Sequence, residues 1–365
     1  MSKKLNIGIL LGGKSAEHEI SLISAQNVYN SLDKKKYQAV LIGIDKKGKW
    51  FLHDQNFTTN SLDPKKVKLK KSLKQLTIVM GQDRGQLMQI SNKKIIHLDA
   101  IFPVLHGTFG EDGTMQGLLK LLNIPFVGAD LLGSAVCMDK DIAKKLLTQA
   151  NIPNAKFLSF STLEKEKINF NQVKKELGLP LFIKPANMGS SVGINKARNQ
   201  KEFTFAIKDA FQYDNKIIIE EFIKGREIEC AILGNEKPQA SLPGEIITPQ
   251  DKFYSYEAKY LDEKGAILKA PAELGKSIIE KVQNLAIKAF QALECEGMAR
   301  VDMFLTSSGK LYINEINTIP GFTSISMYPK LWEKSRIPPI KLVDKLIQLA
   351  LQRFQKQSKL KTTFK

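Results

Sequence analysis

Two short strands in the last third of the chain carry the densest chemistry. Segments 298–305 and 311–317 flank Ser308-Gly309, a dipeptide suited to a two-residue hairpin turn. If Ser307 pairs with Lys310, counting outward sets Asp302 opposite Glu315 and Arg300 opposite Asn317, and strand alternation puts all four on one face. Two carboxylates, an amide oxygen and a cation then converge. Hard oxygen donors in that number suit Mg²⁺ held together with nucleotide phosphates, because the substrate completes the shell. The same residues would also suit an exposed polar pair of strands. The apolar opposite face and the loop Thr318-Ile319-Pro320-Gly321 directly after Asn317 weigh against that reading.

A second constellation is FIKPANMGSSVG at 182–193, a strand ending in Lys-Pro, a Gly/Ser turn and a further strand. It lacks the Gly-Lys-Ser/Thr ending of a Walker loop and opens no helix, so its backbone N–H groups would cover phosphates from a hairpin. Alone it fits a plain β-turn equally well; beside the acidic hairpin it favours nucleotide binding. The opening GGKSAEHEIS at 12–21 has no Gly-x-Gly-x-x-Gly, which argues against a dinucleotide cofactor. Glu17 there suits the positive end of a helix. His106, among Gly107, Gly110 and Gly113, ends a buried strand, where open α/β sheets place ligands.

These residues need elements to hold them. Residues 5–11 read as a strand, 16–32 as a helix and 37–44 as a strand, an α/β beginning. Residues 46–94 form a Lys-rich excursion with weak strands at 76–80 and 86–90. A buried strand at 100–105, a helix to 122 and a third strand at 124–127 complete the first unit. A long helix is expected at 131–150, then strands and helices alternate from about 157: strands at 181–184, 192–196 and 217–222, and a helix at 201–211. A strand at 228–233, a polar loop at 243–265 and a helix at 277–293 precede the acidic hairpin. A Pro/Gly loop, a helix near 340–354 and a basic tail follow it.

At 365 residues the chain is long enough for two or three cores. No stretch approaches the roughly 20 apolar residues of a membrane span, and the short apolar run after Lys3-Lys4 meets Gly12-Gly13 and Glu17 too soon for a signal peptide. A soluble, cytoplasmic protein is expected. Cys137, Cys230 and Cys295 are few, odd in number and far apart in sequence, so free buried thiols are expected. The net charge of +18 raises nucleic acid as a partner, yet only six of the 55 basic residues are arginine and the lysines are dispersed, which reads as a solvated surface.

In their order and spacing these pieces resemble one family, the D-alanine–D-alanine ligases of the ATP-grasp superfamily. The segments that carry the resemblance are GGKSAEHEIS at 12–21, HGTFGEDGTMQG at 106–117, Asp139-Lys140, KPANMGSSVG at 184–193, IEEFIKGRE at 219–227, YEAKY at 256–260, ARVD at 299–302 and NEINTIPGFTSIS at 314–326. The implied fold is a three-domain ATP-grasp architecture, α/β and α+β, with a Rossmann-like α/β domain at 1–130 carrying an insertion at about 46–94. A central ATP-grasp subdomain would follow at 131–226, and a C-terminal one at 227–365 with the metal site and a mobile loop at 243–265.

The resemblance implies that Lys140 and Lys184 bind the α- and β-phosphates of ATP under a loop containing Ser190 and Ser191. Glu220, Glu221 and Ile223 line the adenine pocket, and Glu227 holds the ribose. Glu17 binds the amine of the first D-alanine and forms a hydrogen-bonded chain with Ser190 and Tyr260. Lys259 reaches the γ-phosphate, His106 belongs to the substrate site, and Ser326 holds the second D-alanine carboxylate beside Met327. Arg300 and the Gly321 N–H stabilise the tetrahedral oxyanion, while Asp302, Glu315 and Asn317 ligate two Mg²⁺ or Mn²⁺. K⁺ is a further expected ion, and a homodimer is implied, with neither nucleic acid nor membrane as partner. The nearest alternative is an ATP-grasp ligase making D-alanyl-D-lactate. Tyr260 goes with an amine acceptor within the family and speaks against it.

Overall fold

The computed structural model describes residues 3–59, 61, 63–81, 86–248 and 267–361. Strand β1 (Leu5–Gly12) pairs in parallel with β2 (Tyr37–Ile44) and β7 (Ala100–Pro103), and β3 (Trp50–His53) adds an antiparallel edge. Ile7, Ile9, Leu10 and Leu11 are all fully buried, an unbroken apolar run that marks a strand covered on both faces. Helix α1 (His18–Asn30) links β1 to β2. The Lys-rich excursion forms its own sheet of β4 (Leu76–Val79), β5 (Gln86–Gln89) and β6 (Ile95–His97). The strand expected at 124–127 is reduced to one parallel bridge between Ile101 and Phe126. Pro125 has no N–H to extend a ladder, and Gly128, at φ 100°, turns the chain away.

Helix α2 (Thr114–Leu121) follows the glycine-rich turn after β7. The single helix expected at 131–150 is two, α3 (Leu131–Met138) and α4 (Lys140–Gln149). Asp139 between them is extended, and its carboxylate caps α4 by accepting from the N–H groups of Asp141 and Ile142. Apolar periodicity continues across the break, so the pattern alone does not reveal it. Cys137, Ala143 and Leu147 of these helices pack with Ile228, Phe290, Val301 and Ile313 beneath the C-terminal sheet.

The central sheet is antiparallel, with β8 (Phe157–Ser161), β9 (Leu181–Pro185), β10 (Asn195–Ala197) and β11 (Lys216–Glu221) in the order β10-β9-β11-β8. Helices α5 (Phe170–Leu177) and α6 (Gln200–Ala210) cover it with Val173, Leu177, Phe203 and Ile207. The strand expected at 192–196 starts only at Asn195. Ser190, Ser191 and Gly193 have φ of 51°, 62° and 68°, a left-handed turn that no strand accommodates.

The C-terminal sheet contains β12 (Arg226–Gly234), β14 (Gly244–Ile247), β15 (Ile267–Lys269), β16 (Gly297–Leu305) and β17 (Leu311–Asn317) in the order β15-β14-β12-β16-β17, with β13 (Gln239–Ala240) against β12. Helix α7 (Lys276–Ala292) buries Val282, Ala286, Ala289 and Phe290 on it. After β17, the expected Pro/Gly loop contains an unforeseen helix, α8 (Met327–Lys334). Pro329 lies in its first turn, where the missing N–H costs nothing. The last helix, α9 (Pro339–Gln357), crosses back to the first sheet, and one core joins Ile7, Ile9 and Leu11 to Ala231, Tyr328, Leu346 and Ile347. Among the described residues no helix is long and apolar enough to cross a membrane.

Candidate functional site

The acidic hairpin places Asp302 opposite Glu315 and Arg300 opposite Asn317, as counted from the sequence, but by a different route. The closing pair is Thr306 with Lys310, whose backbone N–H···O distance is 2.9 Å, not Ser307 with Lys310. A slip of one residue would turn the whole of β17 over. It is offset by a bulge: Met303 pairs with Ile313 while Asp302 pairs with Glu315, so Asn314 is the extra residue. Burial shows the result, with Ile313 and Ile316 buried while Asn314, Glu315 and Asn317 are all partly open. Asn314 thereby joins the site, its amide oxygen 3.4 Å from Lys184 Nζ.

Arg300 is clamped along its own strand, donating to both oxygens of Asp302 at 2.7 and 2.6 Å. Its Nε is also 3.2 Å from Glu229 Oε1. Burial alone would weaken the guanidinium's hold on its proton. Asp302 and Glu229 outweigh that and raise its pKa well above the usual value.

Three lysines approach from the other side. Lys140, at the start of α4, donates to the Met188 carbonyl at 2.7 Å and lies 3.8 Å from Glu315 Oε2. Lys184, on β9, lies 2.7 Å from Glu220 Oε2, and the opposite oxygen, Oε1, lies 3.1 Å from Lys144 Nζ. Burial would push the Glu220 carboxyl up, but Lys144 and Lys184 together hold it down at about 2. Lys144 was not anticipated. Its one sequence signal is the four-residue spacing from Lys140, which stacks them on one helical face.

All of these groups except Lys144 line two adjoining cavities. One lies between the central and C-terminal sheets and is bordered by Phe182, Lys184, Ser191, Glu220, Glu221, Ile223 and Glu227, with Asp302 at its polar end. The Glu221 carboxylate accepts from Lys156 N–H at 2.8 Å, and its own N–H donates to the Lys156 carbonyl at 3.0 Å. The second cavity is bordered by Glu17, His106, Arg300, Asn317, Gly321, Ser326 and Met327. Lys140, Ser190, Glu229 and Glu315 border both.

Glu17 stands just before α1, where it caps no helical N–H; its carboxylate accepts from Ser190 Oγ across 173 residues of sequence. His106 uses both ring nitrogens, with Nε2 3.1 Å from Ser24 Oγ and Nδ1 3.2 Å from the Ile319 carbonyl. Burial lowers its pKa and keeps the ring neutral. Ser326 Oγ accepts from Thr323 N–H at 2.9 Å. A Cβ at Gly321 would meet that oxygen at 2.8 Å, so a larger residue would displace it.

Glu111 also faces the second cavity and was missed. Burial first, and then the nearby Glu17 carboxylate, push its pKa well above the ordinary range, while the Gly107 N–H donates to it. The sequence presents it only as one acidic position inside a glycine-rich turn.

Lys259 and Tyr260 lie outside the described residues, as does 249–265 of the expected mobile loop; its first residues are not loop but strand β14, Gly244–Ile247, paired on both sides. Cys137 and Cys295, remote in sequence, bring their sulfurs to 3.3 Å as free thiols. Among the described residues no group of three or more His, Cys, Asp or Glu is arranged to hold a metal. The donor set of Asp302, Glu315 and Asn317 is two carboxylates and an amide oxygen, hard ligands that suit a divalent ion sharing its shell with phosphates.

The described N-terminal model of D-ala D-ala ligases matches residues 6–129, and the C-terminal model matches 146–348. The chain is 53% identical to the D-alanine–D-alanine ligase of Oceanobacillus iheyensis over 99% of both sequences, and 49% identical to D-alanine–D-alanine ligase A of Escherichia coli K12 over 99% of this chain and 100% of that one. Among solved structures it resembles the D-alanine-D-alanine ligase of Coxiella burnetii, with a TM-score of 0.83, 40% identity and 98% of each chain covered. It also resembles the VanG D-Ala:D-Ser ligase of Enterococcus faecalis, with a TM-score of 0.80, 35% identity, and 95% and 100% covered. With both halves of the sequence matched and the relatives aligned end to end, the chain belongs to the D-alanine–D-alanine ligase family.

Proposed function

We propose that the protein joins two D-alanine molecules into D-alanyl-D-alanine, driven by conversion of ATP to ADP and phosphate. The observation that carries this reading is the junction of the two cavities. The lysine-rich end of the sheet-to-sheet cavity opens at Glu315 and Ser190 onto a polar cavity holding Glu17, Arg300 and Ser326.

In this reading adenine and ribose lie along Glu220, Glu221, Ile223 and Glu227, and Lys140 and Lys184 meet the phosphates beneath Ser190 and Ser191. The amine of the first D-alanine pairs with Glu17, and its carboxylate attacks the γ-phosphate to give an acyl phosphate. The amine of the second, held through Ser326 beside Met327 and His106, then attacks that carbonyl and phosphate leaves. Arg300 and the Gly321 N–H face the oxyanion that develops, help worth roughly 3–4 kcal/mol per donor in measured cases.

Mg²⁺ or Mn²⁺ at Asp302, Glu315 and Asn317 would neutralise phosphate charge, with K⁺ an accessory ion. Both oxygens of Asp302 already accept from Arg300, so a cation would draw on their remaining lone pairs. Lys259 and Tyr260 are assigned to the segment after β14, which in this reading closes the site against water. The chain is read as three units, 1–130, 131–226 and 227–365, and as a cytoplasmic homodimer supplying the cell-wall peptidoglycan precursor.

The test is phosphate release from ATP and Mg²⁺ with D-alanine, L-alanine, D-serine or D-lactate, with the product identified by mass. D-alanine-dependent release with a dipeptide product is expected. Turnover confined to D-lactate or D-serine as acceptor would replace the substrate assignment, and release indifferent to amino acid would overturn the ligase reading.

A further inference from the structure

We infer that Lys144 is a positioning residue for nucleotide binding, acting through Glu220 to keep the Lys184 amine available to phosphate. The inference rests on the reading that a nucleotide fills the cavity between the central and C-terminal sheets. It goes further by assigning a role to a lysine that does not border that cavity.

The geometry is a three-member relay. Lys144 projects from α4 with its side chain only 2% exposed, so its charge must be met inside the protein. Glu220 meets it with Oε1 at 3.1 Å and offers Oε2 to Lys184 at 2.7 Å, one oxygen to each amine. Lys184 has a second tether at 3.4 Å, the amide oxygen of Asn314 that the β17 bulge brings to the site. Lys184 and Glu220 border the cavity, whereas Lys144 stands behind them.

The charge count gives Lys144 its function. With two lysines to one carboxylate, the cluster keeps one net positive charge, and Lys184 is the member that faces the cavity. Remove the Lys144 charge and Glu220 has Lys184 as its one ion-pair partner among the described residues. The carboxylate then closes on Lys184, the local charge falls to zero, and an incoming phosphate must compete with a buried carboxylate for the same amine.

The experiment is isothermal titration of ADP and of a non-hydrolysable ATP analogue into the full-length protein, its Lys144→Met and Glu220→Gln variants and the Lys144→Met/Glu220→Gln double variant. Melting curves check that each folds, and steady-state kinetics accompany the titrations. K144M should weaken nucleotide binding by about tenfold, the low end for one hydrogen bond to a charged group. It should raise KM for ATP to match, while kcat at saturating ATP and KM for D-alanine stay near wild type. In the double variant the carboxylate that captures Lys184 is gone; because Glu220 also lines the cavity, recovery is read against Glu220→Gln alone, to which Lys144→Met should add no further loss.

A role in packing alone predicts no such recovery. A folded K144M that binds nucleotide as tightly as wild type, or a double variant about tenfold weaker than Glu220→Gln alone, would overturn the proposal. If K144M does not fold, Lys144→Gln keeps an N–H donor for Glu220 without the charge and carries the same comparison. Failure of the wild-type protein to bind either nucleotide would instead overturn the cavity's assignment, a separate result.

Discussion

Two buried carboxyls in this site shift in opposite directions, and the reason is who their neighbours are. Glu220 has two amines and stays ionised down to about pH 2, so its contribution to stability is present above the ordinary carboxylate range and is lost only as pH falls toward 2. Glu111 has burial and the Glu17 carboxylate against it, and its folded pKa is raised. Above the ordinary carboxylate range the unfolded chain therefore releases a proton that the folded chain retains. Glu111 costs stability increasingly as pH rises toward its folded pKa. Glu111→Gln keeps an oxygen to accept from the Gly107 N–H and removes the titration. Its melting temperature should exceed wild type by a few degrees at pH 8, with the gap closing as pH falls through about 4.5, the ordinary glutamate value. A pH-independent difference in melting curves would count against the assigned cause. Sequence reasoning found the polar groups that sit on a countable ladder, Asp302, Glu315, Arg300 and Asn317. It missed Glu111 and Lys144, whose significance comes from elements that meet only in the folded chain.

At the scale of elements, two of the local departures from expectation each bring a side chain to the candidate site. The hairpin's longer turn and its compensating bulge leave the expected residues facing the site and add Asn314 beside Lys184. A count along alternating strands cannot detect a bulge, because one extra residue is invisible until both strands are paired. The interruption at Asp139 works similarly. By ending α3 and capping α4, Asp139 sets Lys140 as the first residue of a new helix, where its amine donates to the Met188 carbonyl. Its other oxygen is 2.6 Å from Lys216 Nζ, tying the break to β11. Asp139→Ala removes the cap and should lower stability by about 1 kcal/mol, the usual cost of a lost N-cap, with little added for the partly exposed lysine pair. If the break exists to aim Lys140, ATP affinity should fall by more than the stability loss explains. Asp139→Asn, which still caps, should restore most of both, as measured by urea unfolding and nucleotide titration. Equal behaviour of the two variants would show that the cap does not set the lysine.

At the scale of the whole molecule, one face of the first sheet and one face of the C-terminal sheet close on a shared interior, while each sheet packs a cluster of its own on its other face. Residues of β1 and β7 share one buried cluster with β12, α8 and α9, while the central sheet closes a core of its own with α5 and α6. This division was not legible in the sequence, because the contacts that fuse the first and last segments span over 200 residues of chain. Arg353 is the sharpest of these links. It reaches from α9 to donate to the carbonyls of Gly128 at 2.6 Å and Phe126 at 2.7 Å, and its guanidinium lies 4.7 Å from the Phe126 ring centroid. Arg353→Met keeps the apolar stem but leaves two buried acceptors unpaired, at roughly 1–3 kcal/mol each. Burial already disfavours the Arg353 charge, which offsets part of that loss, so a net destabilisation of about 2–4 kcal/mol is expected. Because the core is shared, the loss should appear in hydrogen exchange as parallel acceleration in β1, β2 and β7 and in β12, strands that put side chains into it. Amides of β9 and β11, which lie over the separate central core, should exchange as in wild type. Acceleration confined to α9, or spread evenly through all three sheets, would mean that the fused core is not the unit in which this molecule opens.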